Sequence, residues 1–228
     1  MSRGNKLPFE RGKSAYQNAT VTSTDLAHLE GQVVYLPHSN NSDKKKRDSN
    51  VDIVAVVARN VAGEALLPGD AVVWADGQFG KQVITTTDSN IHADTDDAAA
   101  YIAGIVDDQL PTAGVQNNDL FYLIVRGPAI ATLQTSPTAH KASGHLFFQG
   151  GPLVASGTKG QLNGVVISAT DAATQTTQVA NQLTLAGGAA IGGTARTAIV
   201  DAKTGSAVDT TSGSNTVEVT VWVNTGIA

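Results

Sequence analysis

Residues 119–127 read DLFYLIVRG, an aspartate followed by six consecutive apolar residues and then by Arg-Gly. A strand with one face in water alternates apolar and polar side chains, and residues 120–125 do not alternate. A short apolar run bounded by turn residues is typical of a strand that is covered on both faces. We therefore predict that residues 120–125 form a strand of the protein core.

The order of elements around this strand returns later in the chain. AGIVDDQ at residues 103–109 is followed by a polar turn and then by the strand at 119–127. TAIVDAKTG at residues 197–205 is likewise followed by a polar turn and then by NTVEVTVWVN at 215–224. In this last stretch valine alternates with other residues, which predicts one buried and one exposed face. The shared order indicates a duplicated β unit, although two unrelated β meanders with similar turns would also produce it.

The repeat leads to a prediction of fold and of domain boundaries. We predict an all-β protein with two related β-barrel or sandwich-like units and an extended N-terminal arm. The arm covers residues 1–50 and includes a short strand and a basic loop. The first unit covers residues 51–130 and the second covers 131–228, which carries an inserted Gly/Ala/Thr-rich excursion near 171–193. Further strands are predicted within residues 31–37, 51–60, 71–74, 80–87, 144–151, 151–157 and 163–170.

Composition excludes several classes of function. The chain of 228 residues has a net charge of −5, only 15% charged residues and no cysteine, so disulfides and thiolate metal sites are excluded. Residues 1–50 carry eight basic and five acidic side chains, whereas the remainder is strongly acidic. This distribution is unlike that of a uniformly basic nucleic-acid-binding protein. The first residues lack the apolar core of a signal peptide, and no apolar run is long enough for a membrane helix. We expect neither nucleic acid nor membrane as a partner.

The N-terminal arm is predicted to dock rather than to fold alone. Glycine and proline interrupt any helical pattern over residues 1–30, which indicates an extended segment. Aromatic side chains supply apolar area to bury, and basic side chains suit an acidic surface. We therefore select Phe9, Arg11 and Tyr16 as contacts of the arm with a partner surface. The alternative is a disordered tail.

No catalytic constellation emerges from the sequence. The five histidines lack the spacing of a zinc motif, and no Gly-x-Ser-x-Gly stretch is present. The Gly-rich residues 185–195 lack the Gly-Lys-Ser/Thr of a phosphate-binding loop, and we interpret them as a flexible excursion. Asp94 and Asp96 in the acidic segment 88–97 leave a metal-dependent hydrolase as a remote alternative. We predict no catalytic, metal-binding or cofactor-binding residues, no cofactor and no enzyme activity.

A set of short motifs carries a resemblance to a known family. These are Gly-Asp at residues 69–70 before a strand, Ala-Gly-Ile at 103–105, the Asp-led apolar strand at 119–125, and Arg-Gly-Pro-Ala at 126–129. Over about residues 51–228 the chain resembles the small β-rich decoration, or cement, proteins of tailed bacteriophage capsids. Similar strings also occur in head fibres and other β modules of virions.

The resemblance implies a structural function. A decoration protein binds the outer surface of the capsid, stabilises the shell and is often a trimer. The expected partners are therefore the major capsid protein and further copies of this chain, as a homotrimer. The expected location is the outer capsid surface of the virion, after synthesis in the host cytoplasm. The alternative is a head-fibre or tail receptor-binding module, with Trp and Tyr on a carbohydrate-binding face.

Overall fold

The chain is almost entirely β where its structure is described. The computed structural model describes residues 7–15, 26–36, 53–86, 102–135, 145–146, 152–155, 159–166, 189–191 and 215–225. Within these ranges the single helical element is a 3-10 turn at Ala27–Leu29. The strands are β1 (Val33–Leu36), β2 (Ile53–Asn60), β3 (Ala71–Trp74), β4 (Gln82–Thr85), β5 (Ile102–Val106), β6 (Leu120–Thr135), β7 (His145–Leu146), β8 (Pro152–Ala155), β9 (Leu162–Val166), β10 (Ala189–Ile191) and β11 (Asn215–Asn224). The predicted all-β class is confirmed.

Five strands close into a barrel. Strand β2 pairs in parallel with β4, and β4, β3, β5 and β6 follow as antiparallel neighbours. The antiparallel pair of β6 with β2 completes the circuit. Closure leaves these five strands without a free edge where they pair, which removes sites for unwanted strand addition. Strand β1 extends the sheet by pairing with the first half of β2.

Strand β6 belongs to two parts of the sheet. Its first half pairs with β2 and β5 in the barrel, and its second half pairs with β11 over ten residue pairs, from Arg126↔Asn224 to Thr135↔Asn215. The change occurs where the β2 register shifts opposite Arg126 and where Gly127 has φ +104°. Such a backbone angle is accessible to glycine and strained for other residues. Gly127 therefore permits the bend that leads β6 out of the barrel.

The remaining strands build an outer sheet on the second half of β6. Its order is β6-β11-β10-β8-β9-β7, and β9 returns to β6 through the single parallel pair Leu133↔Leu162. The excursion predicted near 171–193 contributes to this sheet, since β10 pairs with both β11 and β8. The interpretation of residues 185–195 as wholly flexible is therefore wrong for Ala189–Ile191. The structure does not confirm two related units, and β6 runs through the predicted boundary at residue 130.

Two apolar clusters lie on opposite faces of the central strands. One cluster contains side chains from all five barrel strands. Side chains that point outward from a closed barrel cannot contact one another across it, so this cluster fills the barrel interior. The other lies on the opposite faces of β2 and β6 and continues onto β11 and β9. Residues 120–125 supply both clusters in alternation and are all buried, as predicted. All eight residues of β2 are buried as well.

A buried ion pair fixes the chain that precedes β1. Arg59 at the end of β2 donates from Nε to Glu30 Oε1 at 2.5 Å and from Nη1 to the Asn118 carbonyl at 2.7 Å. Both side chains of the Arg59–Glu30 pair are largely buried. Because breaking a buried pair leaves an uncompensated charge, residues 26–30 are firmly tied to the barrel.

Replacement of Gly104 in β5 tests the close approach of β5 and β6. A Cβ at Gly104 would lie 2.5 Å from the Ile124 carbonyl oxygen and 2.8 Å from Leu123 Cγ, so backbone would have to move. We expect Gly104→Ala to lower the free energy of unfolding by about 1–3 kcal/mol or more in urea titrations. Gly77→Ala is the control, since its Cβ meets nothing within 4 Å and only its φ of +66° opposes it. A loss at Gly104 no larger than the loss at Gly77 would contradict this packing.

Candidate functional site

The N-terminal segment, residues 7–15, docks on the outer face of β6. The ring of Phe9 stacks on the ring of Tyr122, with centroids 4.3 Å apart and planes inclined by 12°. The Tyr122 hydroxyl donates to the Phe9 carbonyl at 2.7 Å and accepts from the Phe9 N–H at 3.2 Å. A buried tyrosine needs a partner for its hydroxyl, and the backbone of Phe9 supplies both a donor and an acceptor.

An ion pair holds the middle of this segment. Arg11 donates from Nε to Asp107 Oδ2 and from Nη2 to Asp107 Oδ1, each at 3.0 Å. The side chains of Arg11 and Asp107 are 7% and 1% exposed. A two-bonded guanidinium–carboxylate pair fixes the orientation as well as the distance of its partners. Burial of the pair means that neither charge can be removed alone without a large penalty.

The end of the segment is held by a second carboxylate. The Ser14 hydroxyl donates to Asp119 Oδ2, and the other carboxylate oxygen, Oδ1, accepts from the Leu120 N–H at 2.7 Å. The Ala15 N–H donates to the Leu120 carbonyl at 2.9 Å. Asp119 is 4% exposed, so the segment covers it as well. We call Asp107, Asp119 and Tyr122 the arm-docking site.

Barrel topology places these three residues together. Asp107 directly follows β5 and Asp119 directly precedes β6; because these strands are antiparallel neighbours, both carboxylates lie at the same end of the barrel. Tyr122 is the third residue of β6 and belongs to the outer cluster, so its ring faces away from the barrel interior. Gly12 brings the segment close to the 107–110 turn, since a Cβ there would lie 3.1 Å from the Gln109 carbonyl oxygen.

The chemistry of this site favours binding. Burial raises the pKa of Tyr122 to about 12; the bond with the Phe9 backbone opposes this shift and the Asp107 charge adds to it. The phenol is therefore neutral over the physiological range and can donate its proton to a carbonyl throughout. Asp107 is matched by Arg11, and Asp119 by donors from Ser14 and Leu120. The arrangement recognises an extended segment with an aromatic residue, an arginine and a hydroxyl.

The structure brings two of the three predicted contact residues together. Phe9 and Arg11 both contact the barrel of their own chain, whereas Tyr16 lies outside the described residues. Contact of these residues with a capsid or another partner stays a prediction. The receiving residues of the arm-docking site were not predicted. Two signals pointed to them: aspartate at the ends of apolar strands, and a tyrosine inside an otherwise apolar run.

A further buried carboxylate joins the barrel to the outer sheet. Asp70 precedes β3, and its Oδ2 accepts from the Leu67 N–H at 2.7 Å. Gly160, in the turn between β8 and β9, packs against it so closely that a Cβ there would lie 2.3 Å from Asp70 Oδ1. The adjacent Ala71 N–H donates to the Gly160 carbonyl at 2.8 Å. Burial raises the pKa of Asp70 from 3.8 to about 6, against smaller lowering effects of the Leu67 N–H and Lys159; Glu64 adds slightly to the rise.

Several sequence-based alternatives fall on residues outside the described ranges. These are the acidic segment 88–97 with Asp94 and Asp96, and the basic loop at residues 44–47. Among the residues that the structure does describe, no three His, Asp or Glu side chains are grouped to hold a metal ion. Within the same ranges no helix is long and apolar enough to cross a membrane.

Comparison with known proteins adds no relative. No protein-family model matches the chain, and no curated protein or solved structure matches it.

Removal of the Tyr122 hydroxyl should loosen the docked segment. Tyr122→Phe keeps the ring stack but leaves the Phe9 N–H and carbonyl without their partner, at a cost of about 1–2 kcal/mol. We expect faster trypsin cleavage after Arg11, which is buried when docked, and a lower urea midpoint. Tyr35→Phe, at an exposed position of β1, is the control. Equal cleavage rates in wild type and Tyr122→Phe would show that the hydroxyl does not hold the segment.

The raised pKa of Asp70 predicts a pH-dependent stability. Between about pH 4 and pH 6 the folded protein retains a proton that the unfolded chain has released, so unfolding becomes easier as the pH rises through this window. The effect on the free energy of unfolding is on the order of 3 kcal/mol. In Asp70→Asn this loss should disappear, so the variant gains stability relative to wild type from pH 4 to pH 6. Asp76→Asn, at an exposed turn, is the control. Parallel stability profiles of Asp70→Asn and wild type would refute the assignment.

Proposed function

We propose that the chain is a structural protein of a virion: a decoration, or cement, protein that binds the outer surface of a tailed-phage capsid and stabilises the shell. Its partners are the major capsid protein and further copies of itself. The observation that carries the proposal is the placement of the motifs behind the resemblance. They lie directly before β3, on β5, and at the start and middle of β6, and these three strands are consecutive neighbours in the barrel.

The glycines of these motifs have backbone roles that other residues meet poorly. Gly69 has φ +85° as the chain enters β3, and a Cβ there would lie 3.2 Å from the Ile130 carbonyl oxygen. Gly104 allows β5 to approach Ile124, and Gly127 allows β6 to leave the barrel. The short motifs between residues 69 and 129 therefore belong to neighbouring strands of one barrel. The support is the likeness of these short sequence motifs, and the step from the motifs to capsid binding is by analogy.

Exposed apolar side chains supply the contact surface that such a protein needs. Phe79, at the β3–β4 turn, is 71% exposed, with its ring 5.5 Å from that of Trp74. Tyr35 on β1 is 54% exposed and Trp222 on β11 is 40% exposed. Aromatic side chains are enriched at protein contact sites. Many weak contacts of this kind add up when copies are arrayed on a lattice.

The proposal includes two finer points about organisation. The first is self-association as a homotrimer, in keeping with the resemblance. The second is the duplication of a β unit, which is supported by the repeated order of sequence elements. It is also supported by the two circuits of strand pairing that share β6.

A head-fibre or tail receptor-binding module is the second candidate. The exposed rings of Tyr35 and Trp222 favour it, because sugar rings stack on exposed aromatic side chains. Fibres and receptor-binding proteins occur in few copies per particle, whereas a decoration protein covers the shell. Copy number therefore separates the two candidates.

Quantitative mass spectrometry of purified source virions tests the proposal. We expect the chain at a molar ratio to the major capsid protein of order one, since a lattice-wide cement occupies a repeated site. A handful of copies per particle would favour the fibre or receptor-binding module, and a glycan screen would then follow. Absence from the virion would overturn both candidates. Capsids washed in high salt are the control for loosely adsorbed protein.

A further inference from the structure

The docked segment forms a compact unit of recognition. Its described polar contacts with the barrel, from Phe9, Arg11, Ser14 and Ala15, fall within residues 107–122. These contacts form a narrow strip at one end of the barrel, around the arm-docking site. The hydrogen bonds named here join the segment directly to this strip, so a segment from another copy can form the same bonds.

The connection to the rest of the chain is long enough to reach a neighbour. The chain is fixed at Ala15 by the Leu120 carbonyl and again at Glu30 by Arg59. The ten residues 16–25 join Ala15 to Leu26. Ten residues of extended chain span up to about 35 Å. This reach equals the diameter of a small domain, so a segment from one copy can lie on the barrel of another.

An empty arm-docking site is strongly disfavoured. Without the segment, Asp107 would lose Arg11, and Asp119 would lose the Ser14 hydroxyl, in surroundings that now leave them 1% and 4% exposed. The segment itself helps to bury both carboxylates, so its departure exposes them to water and gives up the Arg11 pair and the Ser14 hydrogen bond together. A vacated site therefore favours the return of a segment, from its own copy or from another. Mutual exchange between two copies restores every contact in both.

We propose that the arm-docking site accepts residues 7–15 of a second copy of this chain, so that neighbouring copies exchange their N-terminal segments. Exchange uses the contacts of the closed monomer, and the opposing free energy is mainly that of bringing two copies together. The balance between closed and exchanged forms is thus set by the local concentration of the protein. The proposal concerns the chain alone and does not depend on capsid binding.

Disulfide trapping tests the exchange, because the chain has no cysteine of its own. Ser14→Cys is introduced in one batch and Asp119→Cys in another, at two positions whose side chains are in direct contact. The two folded variants are mixed at high concentration and oxidised with glutathione disulfide. We expect a disulfide-linked heterodimer on non-reducing gels, decreasing on dilution. Lys13→Cys mixed with Asp119→Cys is the matched control, since Lys13 is exposed and bonds to Glu10 instead; it should yield about tenfold less product.

The double variant Ser14→Cys/Asp119→Cys detects docking within a single chain. If it cross-links within one chain while the mixed single variants give no heterodimer at any concentration, docking occurs only within a copy and the proposal is overturned. Should Asp119→Cys fail to fold, isotopically labelled and unlabelled wild-type chains are mixed and examined by native mass spectrometry. Mixed dimers that disappear in Arg11→Ala support exchange; mixed dimers that persist in that variant, or an absence of mixed dimers, overturn it.

Discussion

Strand β6 is the constraint on which the rest of the structure depends. Its sixteen residues form hydrogen-bonded ladders with β2, β5, β9 and β11, so one continuous backbone belongs to both the barrel and the outer sheet. A strand that is paired along both edges and packed on both faces has no solvent side. This explains why residues 120–125 contain no alternation and why all of them are buried. It also requires a bend, which Gly127 provides at the point where the strand leaves the barrel.

The arm-docking site follows from the same constraint. Because alternate residues of β6 face opposite sides, filling the barrel with Phe121 and Leu123 necessarily turns Tyr122 outward. An outward tyrosine next to two carboxylates at the strand ends presents apolar area, a hydroxyl and negative charge on one small surface. In the N-terminal segment, Phe9 stacks on the tyrosine ring, and Arg11 and Ser14 bind the two carboxylates. The site therefore results from the packing of the central strand. The N-terminal segment, which is distant in sequence, completes it.

Features that depend on local interactions were predictable from the sequence, whereas features that depend on contacts between distant residues were not. Strands at 71–74 and 215–224 follow from local alternation, turn residues and chain composition, and the structure confirms them. The short strand β10 was missed, because Ala189–Ile191 carries too few bulky residues for a strand signal and is held by its neighbours β8 and β11.

The arm-docking site depended still more on long-range contacts. Arg11 and Asp107 are 96 residues apart in the chain, and Phe9 and Tyr122 are 113 apart. A sequence pattern identifies such residues as suited to contact, as it did for Phe9 and Arg11, but it does not identify what they touch. In the structure Arg11 and Ser14 contact Asp107 and Asp119 of the chain's own barrel, and an acidic surface on a partner stays a prediction.

This placement constrains any model of how the N-terminal segment works. Arg11 is bound to a buried carboxylate, so an outside partner that takes Arg11 must offset the free energy of leaving Asp107 unpaired. A surface that merely attracts cations through water cannot do so, since exposed ion pairs are worth about 1 kcal/mol or less. A second copy of the chain offsets the loss completely, because it fills the vacated site with the same arginine while its own site is filled in return. Exchange between copies therefore releases the segment while each arm-docking site keeps an Arg11–Asp107 pair.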